Sequence, residues 1–278
     1  MCRLAWAGDP RVRPRTQSSL AVSADGKSWL LINASPDLRQ QIAATPPLHP
    51  RDHGLRHSPI EAVLLTNGDV DHVAGLLSLR ESQPFRLYGT TQVLQALGDN
   101  TVFDVMAERF VSRIPVALDE GFRPVEGLAV TLFAVPGKAP LWLEEGEPVI
   151  GEATETTVGA MIEAGGRRIA YIPGCALVTE DLKARIAGAD ALLFDGTVLE
   201  DDDLIRAGVG EKTGWRMGHV PMRGARGSIE ALARVPLGRR IFVHINNTNP
   251  ILIETSDERR LVEAAGWQVA HDGMTVTP

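Results

Sequence analysis

Short apolar runs that end in polar or glycine-rich sequence alternate along this chain with segments of helical periodicity. Runs rich in β-branched and aromatic residues, bounded by turn residues, predict strands. The predicted strands cover residues 18–22, 29–33, 60–66, 87–89, 129–135, 157–163, 168–172, 191–195, 240–245 and 267–271. An Asp25-Gly26 turn between the first two predicts a hairpin.

Helical periodicity and start signals predict five helices between these strands. They cover residues 35–41, with Pro36 in the first turn, and residues 91–97, 179–186, 228–233 and 257–265. The proline-rich segment 45–59 and the glycine-rich segment 208–218 are predicted to be loops. Because no repeat or linker is visible, the pattern predicts one domain over residues 1–278, of the α/β class with mixed sheets.

Composition narrows the class of protein. The 278 residues are 44% hydrophobic and 23% charged, as in ordinary globular proteins, and the net charge of −7 argues against nucleic acid as the main partner. No apolar run is long enough to span a membrane, and no signal-peptide pattern is visible. Cys2 and Cys175 are the two cysteines, so we expect no disulfide framework and a cytoplasmic location.

Metal-ligand residue types are concentrated after the strand predicted at residues 60–66. Asn67, Asp69, Asp71 and His72 fall within six residues there. Oxygen and imidazole ligands at this density suit hard and borderline cations, although carboxylates that cap a helix would be an equally ordinary explanation. Other strands also end in such residues, which favours a site.

The further candidates lie at or near the ends of other predicted strands. Asp195 and His244 end two of them, and His219 follows the glycine-rich loop. Loops after buried strands are where α/β proteins place their sites. We therefore expect these side chains to meet Asp71 and His72 around one cation.

Residues 67–72 resemble the His-x-His-x-Asp-His signature of the metallo-β-lactamase fold. Other segments resemble one family with that fold, pyrroloquinoline quinone biosynthesis protein B, from Arg13 onwards. They are Arg15-Thr16-Gln17-Ser18-Ser19, Asn33-Ala34-Ser35-Pro36-Asp37, Pro136-Gly137-Lys138, Phe194-Asp195-Gly196-Thr197, Gly218-His219-Val220-Pro221-Met222 and His244-Ile245-Asn246-Asn247-Thr248-Asn249-Pro250. The resemblance implies an αββα four-layer sandwich with two mixed β-sheets.

Departures from the wider fold predict one metal rather than two. Asn67, Asp69 and Lys138 stand where histidine ligands are usual, and Cys175 stands where a bridging aspartate is usual. A Lys138 ammonium beside Asp69 would occupy the first site as a fixed cation, and we expect Asp69, Lys138 and Asp195 to act in catalysis.

The remaining ligand set predicts one Fe(II) or Zn(II) ion per chain. We expect Asp71, His72 and His244 to bind it, with Asp195 and His219 as further candidate ligands. Two imidazoles and one carboxylate resemble the ligands of mononuclear iron(II) in oxygen chemistry, and zinc accepts the same set. The family's Cys-x-Cys-x-x-Cys zinc cluster is represented only by Cys2, so this chain alone is not expected to bind that structural zinc.

The resemblance implies a role in pyrroloquinoline quinone synthesis. The expected reaction is oxygen-dependent hydroxylation of the tyrosine ring of a cross-linked glutamate–tyrosine diamino acid, with that small molecule and dioxygen as partners. Its binding residues are expected to be Arg13, Arg15, Gln17, Ser18, Asn33 and Trp215. A carrier that helps move the quinone or its precursor to the periplasm is the alternative, an ordinary two-metal hydrolase is a third hypothesis, and a homodimer stays open.

Overall fold

The strands of this computed structural model, which describes residues 1–51, 57–140 and 149–277, form two mixed β-sheets. One has five strands in the order β1-β2-β3-β4-β5, and the other has seven in the order β12-β11-β10-β9-β8-β7-β6. The strands are β1 Leu20–Val22, β2 Trp29–Ile32, β3 Ile60–Leu64, β4 Phe85–Gly89, β5 Val111–Pro115, β6 Gly121–Phe122, β7 Ala129–Gly137, β8 Glu152–Ala164, β9 Arg167–Ile172, β10 Ala191–Asp195, β11 Arg239–Val243 and β12 Trp267–Val269.

The direction in which neighbouring strands pair determines which strand ends lie next to one another. Strands β2 to β5 are parallel to one another, as are β9 to β12, while β1 and the β6 to β8 segment pair antiparallel. Because parallel strands end at the same edge of a sheet, the loops after β9, β10 and β11 can contribute side chains to one region, and the loop after β3 reaches that region from the other sheet. The prediction of two mixed sheets is confirmed.

Successive side chains of the central strands point to opposite faces of their sheet, and this divides the core into layers. In β2, Leu30 and Ile32 point between the sheets, whereas Leu31 packs outwards. In β10, Leu193 lies between the sheets and Phe194 packs outwards. Strands that are buried on both faces read as continuous apolar runs, which is why the sequence showed them clearly.

Helices cover both outer faces and complete the αββα sandwich. They are α1 Cys2–Trp6, α2 Leu38–Ala44, α3 Val70–Val73, α4 Thr91–Gly98, α5 Glu180–Ile186, α6 Asp203–Arg206, α7 Gly214–Met217, α8 Ser228–Leu232 and α9 Asp257–Ala264. Short 3-10 turns cover Pro46–Leu48, Ala74–Leu79, Thr101–Val105 and Pro250–Leu252. Side chains of α2 and α4 pack on the five-stranded sheet, and those of α5, α8 and α9 on the seven-stranded sheet.

Several predicted boundaries were wrong. The second helix begins at Leu38 rather than at residue 35, because Asn33 has a positive φ of 60° and Ser35 Oγ accepts the Asp37 N–H in a turn. The edge strand β5 was missed because Ser112, Arg113 and Pro115 hide its apolar pattern. The glycine-rich loop contains α7, and five of the residues in the proline-rich segment, 52–56, lie outside the described residues.

In the described part of the chain, no helix combines the length and apolarity needed to cross a bilayer. This agrees with the absence of a long apolar run in the sequence.

Candidate metal centre

Acidic and imidazole side chains converge where the parallel strands of the two sheets end. Asp71 and His72 lie on α3, Asp195 is the last residue of β10, and His244 directly follows β11. The ring centroids of His72 and His244 are 5.0 Å apart, and those of His219 and His244 are 5.2 Å apart. The structure therefore brings together all five side chains that the sequence nominated as metal ligands.

Two overlapping groups of these residues have the spacing of metal ligands. In each group the candidate ligand atoms all lie within 4.8 Å of one another. One group is Asp71, His72 and His244, and the other is Asp195, His219 and His244. Hydrogen bonding distinguishes the two groups.

His72 is set up to present its Nε2 atom to a cation. Its Nδ1 lies 2.6 Å from Asn67 Oδ1, which also accepts the Asp69 N–H at 3.1 Å. Since that backbone donor identifies the amide atom as oxygen, Nδ1 of His72 carries the proton and Nε2 has a free lone pair. Nε2 is buried and has no hydrogen-bond partner in the described part of the chain, which costs about 1–3 kcal/mol unless an ion binds there.

Asp71 and His244 place two further ligand atoms at the same point. Asp71 Oδ2 is 2.9 Å from His244 Nε2. Two acceptors at this distance repel each other, so either a proton or a metal ion must lie between them. In the metal-free protein a proton on Nε2 would be donated to Asp71, and a metal would replace that proton.

The pKa values of these groups agree with this arrangement. Burial disfavours the charged form of His244, but the hydrogen bond and charge of Asp71 outweigh it and raise the pKa of His244. Burial would raise the pKa of Asp71, but the hydrogen bond from His244 and the charges of His72 and His244 together outweigh it and leave that pKa lowered. Burial lowers the pKa of His72 to about 3, so His72 is neutral at physiological pH.

Zinc affinity should therefore weaken on acidification through a single proton. Below the raised pKa of His244 the proton competes with zinc, while neutral His72 releases none, so as the pH falls through that pKa we expect the Kd to rise with a slope that approaches, and does not exceed, about tenfold per pH unit. Chelator competition between pH 6 and pH 8 measures this slope. A Kd that does not change across this range, or a slope of two protons, would contradict it.

Asp195 is bound differently and is better suited to orienting a ligand than to being one. It is fully buried, and its Oδ2 accepts the Cys175 N–H at 3.0 Å and lies 2.7 Å from His219 Nδ1. Its Oδ1 accepts the N–H and the hydroxyl of Thr197 at 3.0 and 2.7 Å. Because Nδ1 of His219 is bound to Asp195, its Nε2 is the ring nitrogen that can face a metal or a substrate. This arrangement is typical of carboxylate–histidine pairs beside metals.

Asp69 and Lys138 stand where the wider fold usually has ligands of its first metal, and here they are two opposite charges that act on each other. Burial raises the pKa of Asp69, and the Asp71 charge raises it further, while the Lys138 ammonium opposes both. Lys138 Nζ donates to Ala139 O at 3.0 Å. Its aliphatic chain runs so close to Gly218 that a Cβ there would lie 2.9 Å from the Lys138 Cγ. The expected role of Lys138 as a fixed cation near Asp69 is consistent with this charge pattern.

Residues predicted to bind substrate lie in different environments. Arg13 pairs with Glu254 at 3.3 Å, and Arg15 Nε donates to Ala270 O at 3.1 Å. The Gln17 N–H donates to Asp37 Oδ2 at 2.8 Å. Segment 13–17 therefore contacts Glu254, Ala270 and Asp37. The substrate role of these three residues stays a prediction.

The other three predicted substrate residues differ in exposure. Asn33 is buried, and its amide bonds Thr66 through both Nδ2 and Oδ1, so its contacts are structural. Ser18 Oγ lies 3.4 Å from the hydroxyl of Tyr171, whose pKa is raised to about 12, mainly by burial. Trp215 is 38% exposed and offers a ring to solvent, which makes it the most exposed of these three.

Sequence reasoning did not identify the residues that orient the ligands. Asn67 was interpreted as a lost ligand, whereas it fixes the tautomer of His72. Thr197 contacts both His219 and His244, which are 22 and 47 positions away, so no local pattern reveals it. The Cys175 backbone N–H binds Asp195 while its thiol is buried, and burial raises the pKa of that thiol.

Comparisons with known proteins agree with this geometry. Residues 28–245 match the family described as "Beta-lactamase superfamily domain". "Coenzyme PQQ synthesis protein B" of Methylobacterium nodulans (strain LMG 21967 / CNCM I-2342 / ORS 2060) is 74% identical over 276 residues, covering 99% of this chain and 92% of that protein. The crystal structure of zinc-bound PqqB from Methylobacterium extorquens is 72% identical with a TM-score of 0.98, covering 100% of this chain and 92% of that one.

A more distant structure shares the fold alone. A diphosphatase from the PhnP family is 19% identical with a TM-score of 0.66, covering 96% of this chain and 86% of that one. The geometry and these likenesses together support a metal cofactor at the convergence of Asp71, His72 and His244.

Proposed function

This chain belongs to the coenzyme PQQ synthesis protein B family within the β-lactamase superfamily, and its function lies in PQQ synthesis. We propose that within that synthesis it is an iron-dependent oxygenase. Its substrate would be the tyrosine-derived ring of a glutamate–tyrosine diamino-acid precursor. The observation that carries this proposal is the set of two imidazoles and one carboxylate whose ligand atoms lie within 4.8 Å of one another.

The ligand set favours oxygen chemistry over hydrolysis. Asp71, His72 and His244 would hold one ion, and a ferrous ion so held would supply dioxygen activation. Two-metal hydrolysis needs a second ligand set. Among the described residues, Asn67 and Asp69 stand at two of the positions where the second metal's ligands would be. Asn67 binds His72, and the charge of Lys138 acts on Asp69.

We propose that His219 accepts a proton from the substrate. Asp195 holds the Nδ1 proton of His219, which leaves Nε2 able to accept a proton from a phenol. His219 is partly exposed, with 17% of its side chain accessible, so that a bound substrate can reach it. In this proposal Asp195 orients the base and Asp71 binds the metal, so the two carboxylates have different roles.

Substrate recognition would use an aromatic surface and positive charge near the centre. Trp215 lies four residues before His219, and its ring packs against Gly151, where a Cβ would lie 3.1 Å from it. The Arg226 guanidinium lies 5.9 Å from the centre of the same ring. We propose that Trp215 contacts the tyrosine-derived ring and that nearby arginines contact carboxylates.

Anaerobic reconstitution tests this function. We expect protein loaded with Fe(II) and the diamino acid to incorporate labelled oxygen into the ring once labelled dioxygen is admitted, as measured by mass spectrometry. The metal-free protein is the control. Elemental analysis should give one metal per chain.

Each rival function gives a different result. A carrier would bind the quinone stoichiometrically without oxygen and would leave the precursor unchanged. A two-metal hydrolase would contain more than one metal per chain. Either outcome would contradict the oxygenase proposal.

A further inference from the structure

The hydroxyl of Thr197 lies at the centre of a hydrogen-bond network that none of the roles above requires. Its Oγ1 is 2.7 Å from Asp195 Oδ1, 2.9 Å from His244 Nδ1 and 3.1 Å from His219 Nδ1. It is also 2.9 Å from the backbone oxygen of His244. Thr197 is 5% exposed, so water does not compete effectively for these contacts.

A hydroxyl has one hydrogen, and this limits how the network can be arranged. The Asp195 carboxylate is both the nearest acceptor and the charged one, so it takes the Thr197 hydrogen. The lone pairs of Oγ1 are then available to accept the Nδ1–H of His244. With a proton on Nδ1, the Nε2 atom of His244 is the one free to bind a cation beside Asp71.

The same hydroxyl supports the neighbouring ring. His219 Nδ1 donates mainly to Asp195 Oδ2 at 2.7 Å, and Thr197 Oγ1 is its second contact. Both histidines thus direct their Nδ1 edges at one residue. Their rings are stacked with an interplanar angle of 25°.

The loop that carries Thr197 is held tightly. Asn249 is fully buried, and its Nδ2 donates to the backbone oxygens of Gly196 and Thr197 at 3.1 and 3.4 Å. Gly196 leaves no room for a side chain, since a Cβ there would lie 2.9 Å from Val243 O. The hydroxyl position is therefore fixed by packing on several sides.

The strained backbone of His244 makes this support more important. His244 has a φ of 54°, which is uncommon for a residue with a side chain and is maintained only when its surroundings fix it. Its surroundings include the Thr197 hydroxyl, which can accept the Nδ1–H of its ring.

We propose that Thr197 is a positioning residue that sets the Nδ1-protonated tautomer and the orientation of His244, and supports His219, for metal binding. This inference rests on the metal centre proposed above and not on the reaction proposed for it. Outer contacts of this kind are typically worth about 10- to 100-fold in metal affinity.

Two substitutions distinguish the effect of the Thr197 hydroxyl from the effect of the side chain's shape. Thr197→Val keeps the branched shape and removes the hydroxyl, whereas Thr197→Ser keeps the hydroxyl. We expect Thr197→Val to weaken zinc binding about 10- to 100-fold and Thr197→Ser to restore most of the affinity. Chelator competition measures both, and the absorption spectrum of the cobalt-substituted protein should change only in Thr197→Val.

Nitrogen NMR of the zinc-loaded wild type tests the tautomer directly and does not depend on whether a variant folds. We expect His244 to be protonated at Nδ1 and not at Nε2. The inference is overturned if Nε2 carries the proton, or if folded Thr197→Val binds zinc and cobalt as the wild type does. Failure of the wild type itself to bind zinc would instead contradict the metal centre.

Discussion

Replacing His72 by alanine should reduce zinc affinity by at least about 100-fold, because removal of an outer contact alone typically costs 10- to 100-fold and His72 is an inner ligand. The ring is buried, and its Nε2 has no hydrogen-bond partner among the described residues, so this atom is available to a metal ion and the alanine variant lacks it. Oxygenase activity, if the proposed function holds, should fall with the metal content. Chelator competition and elemental analysis of the purified variant measure the loss.

His271→Ala is the matched control for this experiment. That ring lies 2.9 Å through its Nδ1 from a local backbone oxygen, Asp272 O, and we expect zinc binding at the wild-type level. His72→Gln fills more of the buried volume and guards against a simple packing defect. Wild-type zinc affinity in either folded His72 variant would contradict the assignment of His72 as a ligand.

Gly75→Ala should destabilise the protein by about 3 kcal/mol, at the upper end of the usual cost of overpacking. A Cβ at Gly75 would lie 2.1 Å from the backbone oxygen of Ser35 and 2.8 Å from that of Ala34. The backbone must move to relieve this clash. The same backbone also contacts the metal loop, the segment 67–72 that carries Asp71 and His72, because Ala34 N–H donates to His72 O at 2.7 Å. Zinc affinity should therefore fall as well.

Denaturant unfolding of metal-free protein measures the stability change without a contribution from bound metal. Gly98→Ala, at the exposed end of α4, is the control because the nearest atom to its new Cβ is Arg113 Nη1 at 3.9 Å. We expect that control to stay within about 1 kcal/mol of the wild type. An unchanged unfolding midpoint in Gly75→Ala would contradict the clash.

The proposed metal ligands could be nominated from sequence because each lies at or after the end of a recognisable strand. The carboxyl ends of neighbouring parallel strands meet, which places Asp195 and His244 together at one edge of the seven-stranded sheet. Asp71 follows a strand of the other sheet, and its approach to them depends on how the two sheets pack. The sequence therefore nominated these residues by type and position, with His72 next to Asp71.

The orienting residues could not be predicted in this way, because their roles depend on long-range contacts. Thr197 meets His244 across 47 positions of sequence, and the Phe194-Asp195-Gly196-Thr197 motif does not show which side chains its hydroxyl contacts. Asn67 looked like a lost ligand, since only the 2.6 Å contact with His72 Nδ1 reveals what its amide does. The start of α2 at Leu38 likewise depended on the left-handed backbone of Asn33.

The metal loop is also a backbone connection between the two sheets. Val158 N–H donates to Thr66 O at 2.9 Å, and Asn67 and Thr157 form a β-bridge next to it. Fluctuations that separate the sheets at this seam must displace Asn67, and with it the ring of His72. Loss of the ion should therefore precede global unfolding when the sandwich is heated.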